Sequence, residues 1–242
     1  MTADPFALHP NLRDLIQDPA TSDFRSLSTA GVMERLQSNG MPTDWLRSDT
    51  ERETLRRAFL SGLSGDLWVF AYGSLMWDPG LHFSQVRRAH VPGYARRMIL
   101  RDVNGARGTP EAPGLMAALD HGPEGCDGLV FRIDAGLVEA ETTVLWQREM
   151  IGRGYIPVMV PADTFNGPVT CMTFIADHSA DSMVAGLTRE EQVRYIATGA
   201  GFIGTSLDYL RGIARHFEVL GIDDQAVSSL LAEAEAVAIS LA

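Results

Sequence analysis

The stretch WVFAYGSLMW, residues 68–77, runs apolar side chains into a Gly-Ser pair and then resumes with Leu75, Met76 and Trp77. A short apolar run of this kind is typical of a buried strand. A glycine within such a run marks a bend, or a place where another main chain or a ligand comes close. We therefore predict a strand that breaks at Gly73, and this break is the first candidate for a binding site.

The middle of the chain, from Leu67 onwards, consists of strand-like runs separated by turn residues. The runs are LWVFAYGSL, VRRAHVPGYARRMIL, GLMAALD and GCDGLVFRI, followed by the pair YIPVMVP and PVTCMTFIA. Helical patterns cover LVEAETTVLWQREM, TREEQVRYIATGAG, SLDYLRGIARHFEVLG and QAVSSLLAEAEAVAIS. Because strands in the middle and helices at both ends do not alternate regularly, we predict an α+β domain around a closed or strongly curved sheet.

Residues 1–65 lack strand-like runs and show helical periodicity in FRSLSTAGVMERLQ and ERETLRRAFLSGL. Ser48 followed three residues later by Glu51 fits a capping box, so we place a helix from about Asp49 to Leu63. The expected organisation is a helical N-terminal extension over residues 1–65 and a single domain over residues 66–242.

Charge and composition exclude several classes of partner. The chain has 20 Lys and Arg against 31 Asp and Glu, and this net charge of −11 repels phosphate backbones and anionic membrane surfaces. The start MTADPFALHP lacks the basic and apolar regions of a signal peptide, and no later stretch approaches the roughly 18 apolar residues of a membrane span. We therefore expect a cytoplasmic protein that binds neither nucleic acid nor membranes.

The cysteines and histidines indicate no metal site. Cys126 and Cys171 lie far apart and outside any paired ligand spacing, so we predict neither a disulfide nor a zinc site and interpret both as small buried hydrophobes. The six histidines form no H-E-x-x-H or comparable spacing.

Glu149 falls on the apolar face of a predicted helix. On a wheel at about 100° per residue, Val138, Leu145 and Trp146 cluster on one side of the segment, and Glu149 lies among them. A carboxylate is seldom buried without a partner. Burial and the negative end of the helix dipole should both raise the pKa of Glu149, and a raised carboxyl pKa suits proton transfer near neutrality.

Two interpretations of Glu149 are open at this point. It is either a proton-transfer group or a buried glutamate paired with Arg148, with Arg153 or with an arginine of the VRRAH or YARRM strands. Glu141 lies at the edge of the same helix face, and we expect it to be solvated or ion-paired.

The run GAGFIG, residues 199–204, has the letters of a dinucleotide-binding fingerprint but not its context. That fingerprint needs a preceding buried strand, whereas TREEQVRYIAT has helical periodicity. We interpret the glycines as a helix C-cap and a loop. Ser74 is also a poor candidate nucleophile, because Y-G-S-L lacks the second glycine of a nucleophile elbow and no histidine is assignable as its base.

The Y-G-S-L break and the glutamate of W-Q-R-E-M occur together in one known pattern. The matching pieces are VFAYGSLMW at 69–77, YARRMILRDVNGARGTPEAPGLMAALD at 94–120, WQREM at 146–150 followed by GYIPV, and ATGAGFIGTSLDYL at 197–210. On these pieces the chain resembles the ChaC-like gamma-glutamylcyclotransferases, in their glutathione-specific branch. The resemblance covers roughly residues 67–215 in consistent order, and Ala71 stands where many relatives have glycine. The N-terminal helices lie outside the shared core.

The resemblance implies both a fold and a reaction. The fold is gamma-glutamylcyclotransferase-like, a small mixed β-barrel or curved sheet flanked by helices. The reaction cleaves glutathione to 5-oxoproline and cysteinylglycine without external water, metal or cofactor, so glutathione is the expected small-molecule partner. Two alternatives stay open: a cyclotransferase for other gamma-glutamyl compounds, or a non-catalytic member of the fold that binds a ligand or a partner protein. No oligomeric state is predicted.

The resemblance also assigns the site. Glu149 matches the catalytic glutamate, as general base and then general acid. The N–H groups of the Tyr72–Leu75 turn are expected to bind the glutamyl α-carboxylate or the oxyanion, and Tyr209 is a candidate wall or hydrogen-bond donor. The expected substrate-binding residues are Val69, Phe70, Ala71, Tyr72, Gly73, Ser74, Leu75 and Tyr209. Arg97 and Arg107 either neutralise the terminal carboxylate of glutathione or are solvated strand charges.

Overall fold

The computed structural model describes residues 4–241, with strands in the middle of the chain and helices on both sides. The strands are β1 (Leu67–Ala71), β2 (Gln85–Val91), β3 (Tyr94–Asp102), β4 (Gly114–His121), β5 (Cys126–Ile133), β6 (Tyr155–Thr164), β7 (Val169–Ala176), β8 (Ala200–Gly201) and β9 (Gly204–Thr205). The α-helices of this described part are α1 (Thr29–Ser38), α2 (Asp49–Leu60), α3 (Val138–Glu149), α4 (Arg189–Thr198), α5 (Ser206–Leu220) and α6 (Gln225–Leu241).

Five strands close into a barrel in the order β1-β5-β2-β6-β7, and β7 pairs back onto β1. The start of β7 pairs in parallel with β1, and farther along the same edge Ile175 of β7 pairs with Leu119 of β4. Strand β3 lies outside β4. β1 therefore ends where β4 takes its place beside β7, and this leaves a split in the sheet between β1 and β4. The Y-G-S-L turn lies in this split. The predicted α+β domain with a closed, curved sheet is confirmed.

A single core joins the barrel to helix α3. Leu145 and Trp146 are fully buried, with exposed fractions of 0% and 1%. The Trp146 ring packs edge-on against Phe174 of β7, with 5.4 Å between ring centroids, and Phe59 of α2 packs on its other side at 5.4 Å. Burial of each such side chain contributes roughly 1.5–3 kcal/mol. Helix α3 is therefore held between the barrel and the N-terminal helices.

Helix α2 begins where the capping pattern places it and ends early. The Ser48 hydroxyl accepts a hydrogen bond from the Glu51 N–H at 3.2 Å. The helix ends at Leu60 instead of Leu63, because Ser61 turns to an extended ψ of 121° and Gly62 has a φ of +84°. A left-handed φ is available to glycine at little cost, and it stops a right-handed helix.

The N-terminal helices are attached to α3 through a buried arginine. Arg56 of α2 is 2% exposed, and it donates hydrogen bonds to the Glu53 carboxylate at 2.8 and 2.9 Å. It also reaches α3, where it donates to the Glu139 carboxylate at 2.5 Å and to the Thr142 hydroxyl at 3.0 Å. The division of the chain after residue 65 falls between α2 and β1, and it stays a prediction.

Helices α4, α5 and α6 match the three helical segments predicted after the strand pair. Gly199 caps α4, and its N–H donates to the Tyr195 carbonyl at 2.9 Å, as the C-cap interpretation requires. The following glycines form the small β8–β9 hairpin, which was not predicted. The hairpin docks on another loop, because the Phe202 and Ile203 N–H groups donate to the Gly105 and Ala106 carbonyls at 2.9 and 3.0 Å.

Cys126 and Cys171 are free thiols with exposed fractions of 2% and 0%, so their interpretation as buried hydrophobes is confirmed. Within residues 4–241, no three His, Cys, Asp or Glu side chains are grouped to hold a metal ion. In the same residues no helix combines the length and the apolar character needed to cross a membrane.

Candidate active site

A cavity lies in the split between β1 and β4, beside the last turn of α3. Its empty volume is about 300 Å³, including the part that is open to solvent. Its lining comes from the turn after β1 and from five other elements: Tyr72, Gly73, Ser74, Leu75, Ala117 of β4, Glu149 of α3, Tyr155 of β6, Phe174 of β7 and Tyr209 of α5. A concave site that combines aromatic ring faces with a few convergent polar groups is typical of small-molecule binding.

The turn presents unpaired main-chain N–H groups. Gly73 has a φ of −137°, which any residue can adopt, so its backbone conformation does not require glycine. Glycine is required because a Cβ at this position would overlap the Tyr209 hydroxyl. Within the described residues, the N–H groups of Gly73, Ser74 and Leu75 donate no hydrogen bond, whereas the Met76 N–H donates to the Gly73 carbonyl at 2.9 Å. Three successive free N–H groups can bind an anion.

Glu149 is the last residue of α3, and its carboxylate faces the cavity. The helix ends there because Met150 leaves the helical conformation, with its N–H on the Trp146 carbonyl at 3.0 Å. The Glu149 side chain is 15% exposed, and its Oε1 lies 2.8 Å from Nε of Arg148. Arg153 pairs with Glu51 instead, at 2.9 Å. The two interpretations of Glu149 are therefore compatible, since the carboxylate has both an arginine partner and a cavity.

Burial raises the pKa of the Glu149 carboxyl above its usual 4.5, and the neighbouring Arg148 guanidinium opposes this rise through its charge and its hydrogen bond. The net direction is upward, because loss of water disfavours the carboxylate more than one arginine favours it. The group is thus a weaker acid and a stronger base than an exposed glutamate. Such a carboxylate can accept a proton and return it near neutral pH.

Three buried tyrosine hydroxyls surround the cavity, and they differ in their partners. The Tyr72 hydroxyl donates to the Phe174 carbonyl at 2.9 Å, and the Tyr155 hydroxyl donates to the Ala117 carbonyl at 3.1 Å. The Tyr209 hydroxyl instead accepts a hydrogen bond from the Ala117 N–H at 3.3 Å. No other residue within 4–241 receives the Tyr209 proton, so this proton is available to a ligand.

Burial keeps all three phenols protonated. It raises the pKa of Tyr209 to about 12, and it raises the pKa values of Tyr72 and Tyr155 well above their usual range. The nearby Glu149 carboxylate adds to each rise, because a second negative charge is disfavoured beside it. At neutral pH these groups are therefore hydrogen-bond donors and not anions.

The structure brings together most of the expected site residues. Glu149, Tyr209 and the Tyr72–Leu75 turn line one cavity. The side chains of Val69, Phe70 and Ala71 do not line it: they are fully buried in β1, which leads into the turn. Their part in substrate binding stays a prediction.

Three lining residues were not assigned from the sequence: Ala117, Tyr155 and Phe174. Tyr155 could have been assigned from the sequence, because it lies in the GYIPV piece of the family pattern, shortly after WQREM. Ala117 and Phe174 carry no such mark, since an alanine and a phenylalanine in apolar strands are the usual content of a core.

The arginines and Ser74 have definite partners. Arg97 forms an exposed ion pair with Glu124 at 2.7 Å, which confirms its interpretation as a solvated strand charge. For Arg107 that interpretation is wrong: the residue is 9% exposed and donates to the Thr205 carbonyl at 2.9 Å, because the loop that carries it is covered by the β8–β9 hairpin. The Ser74 hydroxyl accepts a hydrogen bond from Nη2 of Arg148 at 2.8 Å.

Glu141 was expected to be either solvated or ion-paired, and the structure shows that it is ion-paired and not solvated. Its exposed fraction is 1%, and Arg25 of the N-terminal extension donates to both its oxygens, at 2.6 and 3.2 Å. Oε2 also accepts a hydrogen bond from the His82 N–H at 2.9 Å.

The chain matches the family model described as ChaC-like protein over residues 67–237. It belongs to the ChaC-like family. A relative from Escherichia coli (strain K12), named glutathione-specific gamma-glutamylcyclotransferase, is 33% identical over 168 residues, which are 69% of this chain and 72% of that protein. The relative of the same name from Schizosaccharomyces pombe is 29% identical over 190 residues, 71% of this chain and 92% of that protein.

The fold is shared with a solved structure of the family. A crystal structure of a gamma-glutamyl cyclotransferase specific to glutathione from yeast superposes with a TM-score of 0.65 at 20% identity, over 71% of this chain and 96% of that chain. The family match contains every residue that lines the cavity. It begins at the first residue of β1, so the N-terminal helices lie outside it.

Proposed function

We propose that the protein is a glutathione-specific gamma-glutamylcyclotransferase that converts glutathione into 5-oxo-L-proline and L-cysteinylglycine. One observation carries the proposal: the largely shielded Glu149 carboxylate and the free N–H groups of the Tyr72–Leu75 turn face the same small cavity. The two named relatives bear this activity in their names.

Glu149 performs two proton transfers in the proposed mechanism. The α-ammonium of the gamma-glutamyl group first loses a proton to the Glu149 carboxylate, and the freed nitrogen attacks the γ-carbonyl carbon. A new C–N bond closes the five-membered ring, and the carbonyl oxygen becomes an oxyanion. When the C–N bond to cysteine breaks, Glu149 returns its proton to the leaving nitrogen, and the ring nitrogen releases its extra proton to solvent, so that one N–H remains on the lactam. One carboxylate with a raised pKa is suited to both steps, and no water is consumed.

The turn and Tyr209 supply the hydrogen-bond donors that this chemistry needs. The free N–H groups of Gly73, Ser74 and Leu75 and the unused Tyr209 proton serve the α-carboxylate and the developing oxyanion. Donors held by the fold stabilise a transition-state charge without first having to reorganise.

The remaining wall favours the folded shape of the substrate. The rings of Tyr72, Tyr155 and Phe174 close the cavity around a flexible glutamyl chain, which must bend for its nitrogen to reach its own carbonyl. Confinement of the substrate near its attacking geometry lowers the entropic part of the activation free energy of cyclisation.

We also propose a cytoplasmic location. The glutathione that keeps thiols reduced is found in the cytosol, which therefore contains the proposed substrate. The two free cysteines of this chain are in keeping with a reducing compartment.

Incubation of the purified protein with glutathione in H₂¹⁸O tests the proposal. We expect 5-oxoproline and cysteinylglycine in equal amounts by mass spectrometry, both without ¹⁸O. Labelled glutamate would mean hydrolysis and would overturn the cyclisation. Parallel reactions with gamma-glutamylalanine and with oxidised glutathione measure the substrate range. Faster turnover of gamma-glutamylalanine would show that glutathione is not the preferred substrate. Saturable binding of glutathione without any product would identify a non-catalytic member of the fold.

A further inference from the structure

Arg148 connects the catalytic glutamate to the substrate-binding turn. Its Nε lies 2.8 Å from Oε1 of Glu149, and its Nη2 donates to the Ser74 hydroxyl at 2.8 Å. Its Nη1 donates to the Asp78 carbonyl, just beyond the turn. A guanidinium is planar, so the directions of its ion pair with Glu149 and of its two donated hydrogen bonds are fixed relative to one another. The position of Glu149 relative to the turn is therefore set through one rigid group.

Phe24 of the N-terminal extension covers this guanidinium. Its ring lies 3.7 Å from the Arg148 Cζ, and the Arg148 side chain is 5% exposed. A desolvated arginine on an aromatic face is held more strongly than an exposed one. The matched family segment begins at residue 67, so Phe24 lies outside it.

The segment around Phe24 is itself anchored beside the site. A Cβ placed on Gly80 would lie 3.2 Å from the Ser22 hydroxyl and 3.5 Å from Cβ of Phe24, which shows how closely the extension packs on the chain after the turn. Arg25 donates to the Gly80 carbonyl at 2.9 Å and to the buried Glu141 carboxylate at 2.6 Å. Phe24 is therefore packed against Gly80 and is followed directly by the anchored Arg25.

We propose that Arg148 is a positioning residue that sets the Glu149 carboxylate against the Ser74 end of the turn, and that Phe24 of the N-terminal extension holds Arg148 in that position. The inference rests on the proposed role of Glu149 in cyclisation. It gives the N-terminal extension a part in turnover, although none of the extension's described residues, 4–65, lines the cavity.

The first test compares two phenylalanines of the extension. Phe24→Ala should lower kcat about tenfold and change KM by less than about threefold, because the loss falls on the alignment of the base and not on ground-state binding. Phe6→Ala is the matched control, since Phe6 also stacks on an arginine, Arg13 at 4.9 Å, but lies away from Arg148. We expect the control to keep the kcat and KM of the unmodified protein.

The second test separates charge from geometry at Arg148. Arg148→Lys keeps a cation but loses the planar donors, so kcat should fall. The acid limb of the pH profile of kcat/KM, which reports protonation of Glu149, should stay at the same pH. Arg148→Met removes the cation, so the limb should move to higher pH. The other titratable groups that face Glu149 are Tyr72, Tyr155 and Tyr209, and they stay neutral across this range.

The outcomes distinguish this inference from the proposed function. If the unmodified protein forms no 5-oxoproline, the proposed function fails. If it does and Phe24→Ala has unchanged kcat, or if Phe6→Ala loses as much, the inference is wrong. Should Phe24→Ala fail to fold, Phe24→Leu fills the space without an aromatic face, and normal kcat in that folded variant overturns the part assigned to Phe24. Unchanged kcat in folded Arg148→Lys overturns the positioning role of Arg148. An acid limb that stays in place in Arg148→Met contradicts the contact between the Arg148 cation and Glu149.

Discussion

Helix α3 carries a glutamate near each end, the fully buried Glu141 in its first turn and the partly buried Glu149 in its last, and the two carboxylates differ in their partners. Glu141 accepts three hydrogen bonds, two from Arg25 and one from the His82 N–H. It also lies at the helix end where the dipole favours a negative charge. Its hydrogen-bonding capacity is used within the fold, and it does not line the cavity beside the Tyr72–Leu75 turn.

Glu149 has the opposite surroundings. Arg148 is its one charged partner within residues 4–241, and the helix end there disfavours a negative charge. The carboxylate keeps accepting capacity that is directed at a cavity. The comparison teaches that burial of a carboxylate does not by itself indicate catalysis. A functional role is indicated where burial, unused hydrogen-bonding capacity and an adjoining cavity occur together.

The largest expected effect separates the two glutamates by activity. Glu149→Gln should lower turnover of glutathione by about 10²–10⁴-fold, because an amide of the same shape cannot accept and return a proton. Glu141→Gln should lower turnover by less than about tenfold, since it removes charge from a carboxylate that contacts no substrate. Steady-state rates on both variants, with circular dichroism as the check on folding, measure the difference. Substantial turnover in folded Glu149→Gln would remove that residue from the mechanism.

The next effect separates them by stability. Glu141→Gln should lower the free energy of unfolding by about 1–3 kcal/mol, because the amide offers the charged Arg25 guanidinium one uncharged acceptor oxygen in place of two carboxylate oxygens. Urea unfolding at pH 7 measures this change. A variant as stable as the unmodified protein would mean that the Arg25 contact contributes nothing to the attachment of the extension.

The smallest expected effect is a gain in stability in Glu149→Gln, opposite in sign to the loss expected in Glu141→Gln. A carboxyl whose pKa is higher in the folded protein than its usual 4.5 binds a proton more tightly when folded, so stability falls as pH rises from 4.5 through the raised pKa. Glu149→Gln lacks this loss. It should be more stable than the unmodified protein at pH 7, by about 1.4 kcal/mol for each unit of raised pKa, and the gain should vanish near pH 4. Thermal unfolding at both pH values measures the gain, and equal stability at pH 7 would contradict the raised pKa.

Much of the site was predictable because its main parts carry local patterns. The break after an apolar run located the turn, and helical periodicity placed Glu149 among buried residues, as the structure confirms. Tyr209 came from the family pattern and not from its spacing. Local patterns did not separate Arg148 from Arg153 as the partner of Glu149, since both lie within reach along the chain.

Taken alone, the sequence determined most of the strand and helix segments, the family they belong to, and the place of Glu149 on the apolar face of α3. Only the tertiary structure decided that β4 replaces β1 beside β7, so that Ala117, Tyr155 and Phe174 close a cavity and Phe24 covers Arg148. The physical reason is that periodicity records whether a side chain is buried, which is a property of its own element. Which elements meet depends on pairings between residues about one hundred positions apart, such as Trp68 with Cys171, and no local pattern encodes them.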